Sequence, residues 1–98
     1  MKFIIKNTNK NNISTLTRKI GYYYLGKTEK QEFNLIKTLE RGGYPRFHIY
    51  LIITEQELVF NLHLDQRRPV YKNAPAHSAD YEGKIVEQEA ERIKQLLK

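Results

Sequence analysis

The chain contains no cysteine. This absence excludes a disulfide framework and a zinc site built on thiolates. Long apolar runs are missing as well, since no segment approaches the roughly 20 residues of a membrane-spanning helix. The opening sequence MKFIIKNTNK has too few apolar residues for a signal-peptide core. We therefore expect a protein of the cytoplasm that has no contact with membranes.

Acidic residues are scarce in the first half of the chain. Residues 1–50 hold ten Lys and Arg against three Glu, whereas residues 51–98 hold seven Lys and Arg against eight acidic residues. The formal net charge is +6. A basic half predicts an anionic partner, such as RNA or another polyanion. The alternative is that the charge only maintains solubility.

The length of 98 residues predicts one domain, 1–98, that buries roughly 60–65% of the surface of its unfolded chain. The hydrophobic fraction of 40% is ordinary for a globular protein. Residues 1–12 are expected either to fray or to provide a short edge strand at Met1–Ile5. The Asn-rich residues that follow, up to Asn12, predict a loop.

The segment Arg46–Asp65 shows the strongest periodicity. Apolar residues alternate on both sides of a polar break at 54–57, which is the pattern of two half-buried strands. We therefore predict a β-hairpin, joined by a four-residue turn built around type I geometry. Its eight core-facing residues are Phe47, Ile49, Leu51, Ile53, Leu58, Phe60, Leu62 and Leu64.

Burial of one face also fixes the register of the hairpin, because a slip of one residue would expose every apolar side chain. Directly opposed residues have Cβ atoms roughly 4.5–5.5 Å apart, so the second face should bring two histidines into contact. The opposed pairs on that face are Arg46–Asp65, His48–His63, Tyr50–Asn61 and Ile52–Val59.

The segment 28–41 carries two conflicting patterns. Thr28 to Gln31 has the spacing of a capping box, and Phe33, Ile36 and Leu39 suit one face of a helix. Alternation of Phe33 and Leu35 favours a strand that pairs with the hairpin across a turn at 41–45. A third strand would stabilise the hairpin, so we predict the strand.

Two helices are predicted. The first begins after Asn12 as N-cap and ends at Gly21. The second spans 81–97, with one apolar stripe and a solvated face that includes Arg92. Of the tyrosines at 22–24, one or two should pack in the core, although three in a row also suit base stacking.

Together these elements predict an α+β fold. The expected sheet is antiparallel with three to four strands, the hairpin 46–65 is central, and an N-terminal helix and the C-terminal helix 81–97 pack on it.

A first functional hypothesis concerns the long basic connection that follows Asp65. Segments of this length are often functional, and this one leaves the sheet beside the second face of the hairpin. We predict that its basic and aromatic residues bind RNA or another polyanion through phosphate contacts. The alternative is a surface crossover. The predicted anion-binding residues are Arg46, Arg67, Arg68, Tyr71 and Lys72.

A second hypothesis uses the three histidines of the chain. His48, His63 and His77, with Asp65, could hold a divalent metal ion and a water molecule, as in a metal-dependent hydrolase. Without metal, a histidine pair could cleave phosphodiesters by acid–base catalysis. The alternative is an exposed cross-strand pair with Arg46–Asp65 as a rim salt bridge, which contributes little.

A third hypothesis is self-association. Ile52, Val59 and Tyr50 make the second face partly apolar, so a second copy of the chain could cover it. An open sheet edge would permit strand addition between copies. This hypothesis predicts a homodimer.

Two resemblances add to these expectations. The sequences RGGYPRFHIYL, FNLHLDQRRP and AHSADYEGKIVEQEAERI resemble short proteins of a family without an assigned function, over roughly the C-terminal two-thirds of the chain. That resemblance implies no activity or site. LIKTLERGGY followed by HIY resembles the HicA-type toxins, small ribonucleases, which would make His48 catalytic. This second resemblance requires a helix over 28–41, and the Gly-Ser before His48 and the Pro two residues before His63 are missing.

Overall fold

The computed structural model describes residues 1–66, 79–80 and 83–98. The elements, in chain order, are β1 Lys2–Lys6, α1 Ile13–Ile20, β2 Tyr23–Lys27, β3 Phe33–Thr38, β4 Arg46–Ile53, β5 Glu57–Asp65, β6 Ala79–Asp80 and α2 Lys84–Leu96. The α+β class predicted from the sequence is confirmed. Neither helix is long and apolar enough to cross a membrane, as judged over the described residues.

The sheet has the strand order β1-β5-β4-β3-β2, and all neighbours are antiparallel. The short strand β6 also pairs with β5, beyond the end of β1. The hairpin is central, as predicted, but the prediction of three to four strands was too low. Strands β1, β2 and β6 have five residues or fewer, too few for their alternation to stand out in the sequence.

The register of the hairpin agrees with the prediction at every pair from Arg46–Asp65 to Ile53–Leu58. The turn is held by Thr54, whose hydroxyl accepts the Glu57 N–H at 2.9 Å. Asn7, which is buried, anchors the turn from outside: its side-chain amide donates to the Thr54 carbonyl and its backbone N–H to the Gln56 carbonyl.

The segment 28–41 contains a strand, as predicted, and no helix. Phe33 lies opposite Leu51, and Leu35 lies opposite Ile49 with no exposed surface. Burial of Leu35 between helices and sheet outweighs the local helix signals, because tertiary packing overrides weak propensity. The helix that the HicA-type resemblance required at this place is absent.

Both helices pack on the same face of the sheet. Helix α1 begins after Asn12, whose side chain accepts the Thr15 N–H at 2.9 Å, and ends at Gly21, whose φ of 80° suits glycine. Helix α2 starts three residues later than predicted, because Gly83 has a φ of 117° that no helix accepts. It also ends one residue earlier than predicted. The buried apolar core comprises Phe3, Leu16, Ile20, Tyr22, Leu35, Phe47, Ile49, Leu51, Leu58, Phe60, Leu62, Leu64, Val86, Ala90, Ile93 and Leu97.

A buried polar network joins α2 to the start of β2. The Tyr22 hydroxyl donates to Glu89 at 2.6 Å, and Arg92 donates to Glu89 at 2.8 Å and to the Ile20 carbonyl at 2.6 Å. The Arg92 guanidinium therefore reaches toward the core, although its side chain remains 35% exposed at the edge of the predicted solvated face. Tyr22 is the packed tyrosine of the three, whereas Tyr23 and Tyr24 are exposed.

Candidate functional site

The second face of the sheet, which we call the open face, has no described helix packed on it. The strand register defines its residues, because side chains alternate between the two faces. Those residues are Lys2, Ile4, Lys6, Tyr23, Asn34, Ile36, Thr38, Arg46, His48, Tyr50, Ile52, Glu57, Val59, Asn61, His63 and Asp65.

Three of these side chains form a compact group, which we call the His–Asp cluster: His48, His63 and Asp65. His48 Nδ1 lies 3.3 Å from one carboxylate oxygen of Asp65, and His63 Nε2 lies 3.0 Å from the other. The centroids of the two imidazole rings are 4.8 Å apart. The carboxylate thus bridges the two histidines that the hairpin register places side by side.

Both histidines are buried although they lie on the open face. His48 is 8% exposed and His63 is 7% exposed, while Asp65 is half-buried. The Tyr50 ring covers part of this area, with its centroid 4.6 Å from that of His48. The histidines are therefore not the solvent-exposed pair of the alternative interpretation, although its Arg46–Asp65 salt bridge is present at 3.4 Å.

A second layer of polar side chains surrounds the cluster. The Asn34 side-chain oxygen is hydrogen-bonded to His48 Nε2, so both ring nitrogens of His48 are engaged. Arg46 Nε donates to Asp65 at 3.4 Å, and its guanidinium lies over the Tyr44 ring at 4.6 Å from the centroid.

The charge on Asp65 follows from these contacts. Burial alone would raise the pKa of the Asp65 carboxyl, but hydrogen bonds from His48 and His63 outweigh it and hold that pKa well below its usual range. Asp65 is therefore an ionised carboxylate at neutral pH, and the cluster offers one anionic oxygen ligand beside two imidazoles.

The predicted metal ligands are brought together in part. Ligand atoms of His48, His63 and Asp65 all lie within 4.8 Å of one another. The fourth predicted ligand, His77, lies outside the described residues. Asn34 was missed by the sequence reasoning. The sequence carried no signal for it, because its place beside His48 depends on the register that sets Asn34 opposite Tyr50.

The predicted anion-binding set remains largely untested by this geometry. Only Arg46 is described, and it contacts Asp65; Arg67, Arg68, Tyr71 and Lys72 lie outside the described residues. The open face itself carries three cationic side chains, Lys2, Lys6 and Arg46, against the carboxylates of Glu57 and Asp65. Its described charges thus nearly balance, and no basic patch is gathered there.

Comparison of the chain with protein-family models, with curated proteins and with solved structures finds no match in any of the three. The chemistry of the His–Asp cluster is therefore argued from its own residues.

Proposed function

We propose that this protein hydrolyses phosphodiester bonds of RNA or another polyanion, with the His–Asp cluster as its reacting centre. The observation that supports this proposal is the ionised Asp65 carboxylate bridging two buried imidazoles on a sheet face that no described helix covers. Buried polar clusters of this kind are costly to maintain, and perturbed carboxylates beside histidines are concentrated at functional sites.

Each group has a role in such a reaction. Hydrolysis of a phosphodiester requires an activated water molecule and neutralisation of the charge that develops on the phosphoryl oxygens. The Asp65 carboxylate fixes the orientation of both imidazoles, as a carboxylate does in other histidine-based sites. The Arg46 guanidinium, already beside Asp65, is placed to meet a phosphate oxygen.

The polyanionic nature of the substrate is inferred from charge. The formal net charge of +6 attracts nucleic acid at long range, which raises the encounter rate. On the open face, Lys2 and Lys6 of β1 supply two further cationic side chains. Phosphate contacts of this kind lose affinity as salt rises, by a slope of about −0.7 to −0.9 per contact.

The test is cleavage of labelled single- and double-stranded RNA and DNA by untagged protein, with binding followed at several salt concentrations. We expect wild-type cleavage, and loss of cleavage of at least 100-fold in His63→Ala and Asp65→Asn, as is typical when an acid–base group is removed. The matched control is Lys94→Gln, an exposed residue on the helix layer, which should cleave normally. Intact nucleic acid with the wild type, or equal cleavage by the cluster variants, would contradict the proposal.

A second candidate function is self-association, favoured by an apolar row on the open face. Ile4, Val59 and Ile52 are cross-strand neighbours, and Ile4 and Ile52 are 51% and 38% exposed. Such rows mark surfaces that bind other proteins. Light scattering should show a dimer that Ile4→Lys converts to a monomer. A wild-type monomer at high concentration would reject this candidate.

A further inference from the structure

We propose that the His–Asp cluster holds one divalent ion of the zinc class, with His48 Nδ1, His63 Nε2 and an Asp65 carboxylate oxygen as ligands and Asn34 as the residue that positions His48. This inference rests on the proposed function in that it assigns a cofactor to the same centre. The inference also distinguishes hydrolysis that requires a bound metal ion from acid–base catalysis by the histidines alone.

The first step concerns the hydrogen atoms of His48. The Asn34 side-chain oxygen that contacts His48 Nε2 is an acceptor and carries no hydrogen. Nε2 must therefore carry the hydrogen and donate it. The other nitrogen, Nδ1, is then the one available to bind a metal ion once its own hydrogen is released.

The second step concerns what Nδ1 faces. His48 Nδ1 lies 3.3 Å from one Asp65 oxygen, and His63 Nε2 lies 3.0 Å from the other. Two imidazole nitrogens and one carboxylate thus converge on one small region. A metal ion bound there would replace the hydrogens that link these groups, because histidine binds a metal through a deprotonated nitrogen.

The distances fit a metal of small radius. The Asp65 oxygens lie 3.3 Å from His48 Nδ1 and 3.0 Å from His63 Nε2, and all ligand atoms of the cluster lie within 4.8 Å of one another. Zinc–nitrogen and zinc–oxygen bonds of about 2.0–2.2 Å place tetrahedral ligand atoms roughly 3.3–3.6 Å apart. Closure of the cluster on an ion therefore requires a separation of up to 4.8 Å to shorten by roughly 1 Å, which side-chain rotation can supply.

The ligand types select the class of metal. Two imidazoles and one carboxylate suit Zn²⁺ and its neighbours, whereas Mg²⁺ and Ca²⁺ prefer sites made wholly of oxygen ligands. Three protein ligands leave a fourth position for water, which is the arrangement of catalytic rather than structural zinc sites. Bound zinc lowers the pKa of that water and so generates a nucleophile near neutral pH.

Two neighbours tune the site. Asn34 accepts the hydrogen of His48 Nε2, the contact by which a second-layer group orients a metal-bound histidine. Arg46 donates to the same Asp65 oxygen that faces His48. Its positive charge competes with a metal ion for that oxygen, so removing the charge should strengthen metal binding.

The test is titration of untagged, full-length protein with Co²⁺, followed by its visible absorption, and with Zn²⁺ by competition and calorimetry. We expect one ion per chain, no saturable binding in His63→Ala, and binding weakened 10–100-fold in Asn34→Leu. The matched control is Asn61→Leu, an amide on the same face outside the cluster, which should bind as the wild type does. Arg46→Gln should bind more tightly than the wild type.

The outcomes distinguish this inference from the proposed function. Absence of Co²⁺ and Zn²⁺ binding by folded wild-type protein overturns the metal site, whatever the variants do, and so does binding of equal strength in His63→Ala. Cleavage of RNA that persists after metal removal overturns the assignment of the ion as cofactor of the reaction but leaves the hydrolase. One ion bound without any cleavage supports the metal site and refutes the hydrolase.

Discussion

The two faces of the sheet are made by the same strands, yet they bury their side chains by different means. The helix-covered face buries Leu35, Ile49 and Phe60 completely, against apolar neighbours from two helices. The open face buries His48 and His63 without a described helix above them, and their polar atoms are satisfied by hydrogen bonds to Asp65 and Asn34. Burial on the helix-covered face stabilises the fold. Burial of polar groups on the open face lowers the stability of the fold, but it produces a polar arrangement that suits chemistry.

The largest expected effect tests the helix-covered face. Phe60→Ala removes a fully buried ring that stacks on Phe3 at a centroid distance of 4.9 Å. We expect the free energy of unfolding to fall by about 3–5 kcal/mol, because the change combines lost transfer energy with a cavity. Urea denaturation followed by circular dichroism measures this loss. A loss below about 1 kcal/mol would show that this face does not supply the stability of the fold.

A smaller effect tests the buried network at the edge of that face. Tyr22→Phe removes the hydroxyl that donates to Glu89 at 2.6 Å, and should cost about 1–2 kcal/mol at neutral pH. Burial and the Glu89 carboxylate raise the pKa of Tyr22 above that of tyrosine in the unfolded chain. The contribution of Tyr22 is therefore fully present below about pH 10 and declines as pH rises further.

Measuring the free energy of unfolding from pH 7 to pH 11 checks the direction of this pH dependence. The stability gap between the wild type and Tyr22→Phe should narrow above about pH 10. Tyr23→Phe is the control, because Tyr23 is 71% exposed and its loss should be neutral throughout. A gap that widens in alkali would show that the network favours the ionised phenol, contrary to the contacts described.

The smallest effect compares the two faces directly by making the same isoleucine-to-valine substitution on each face. Ile49 is fully buried under the helices and Ile52 is 38% exposed on the open face, three residues further along β4. Ile49→Val should cost about 0.5–1.5 kcal/mol, and Ile52→Val less than about 0.5 kcal/mol. Parallel urea titrations of the two variants measure both. Equal losses would mean that something covers Ile52 as fully as the helices cover Ile49.

Much of the structure that forms the two faces of the sheet was predictable from the sequence. Alternation over eight or nine residues fixed the hairpin register, and with it the contact between His48 and His63. Helix α1 was predictable because Asn12 and Gly21 mark its ends. These features depend on neighbours in sequence or on a single turn.

Features that depend on distant parts of the chain were not predictable. An edge strand at Met1–Ile5 was one of the two expectations for residues 1–12, and β1 agrees with it, but its partner β5, more than fifty residues away, was not predictable. Arg92 has the helical position of a solvated residue, and only the approach of Ile20 and Glu89 explains its inward contact. Asn34 joined the site only once β3 was aligned with β4, because its role arises from a register between strands.

The clamp formed by Asn7 has a practical consequence for engineering the protein. Glu55 is well exposed, so the turn after β4 would be the obvious place to insert an affinity tag or a fluorescent label. The backbone carbonyls of Thr54 and Gln56 on either side of it accept hydrogen bonds from Asn7, which directly follows β1. An insertion there would break both hydrogen bonds and loosen the end of β1 nearest the turn, so a reporter belongs on the outer surface of α2, at the exposed Gln95, instead.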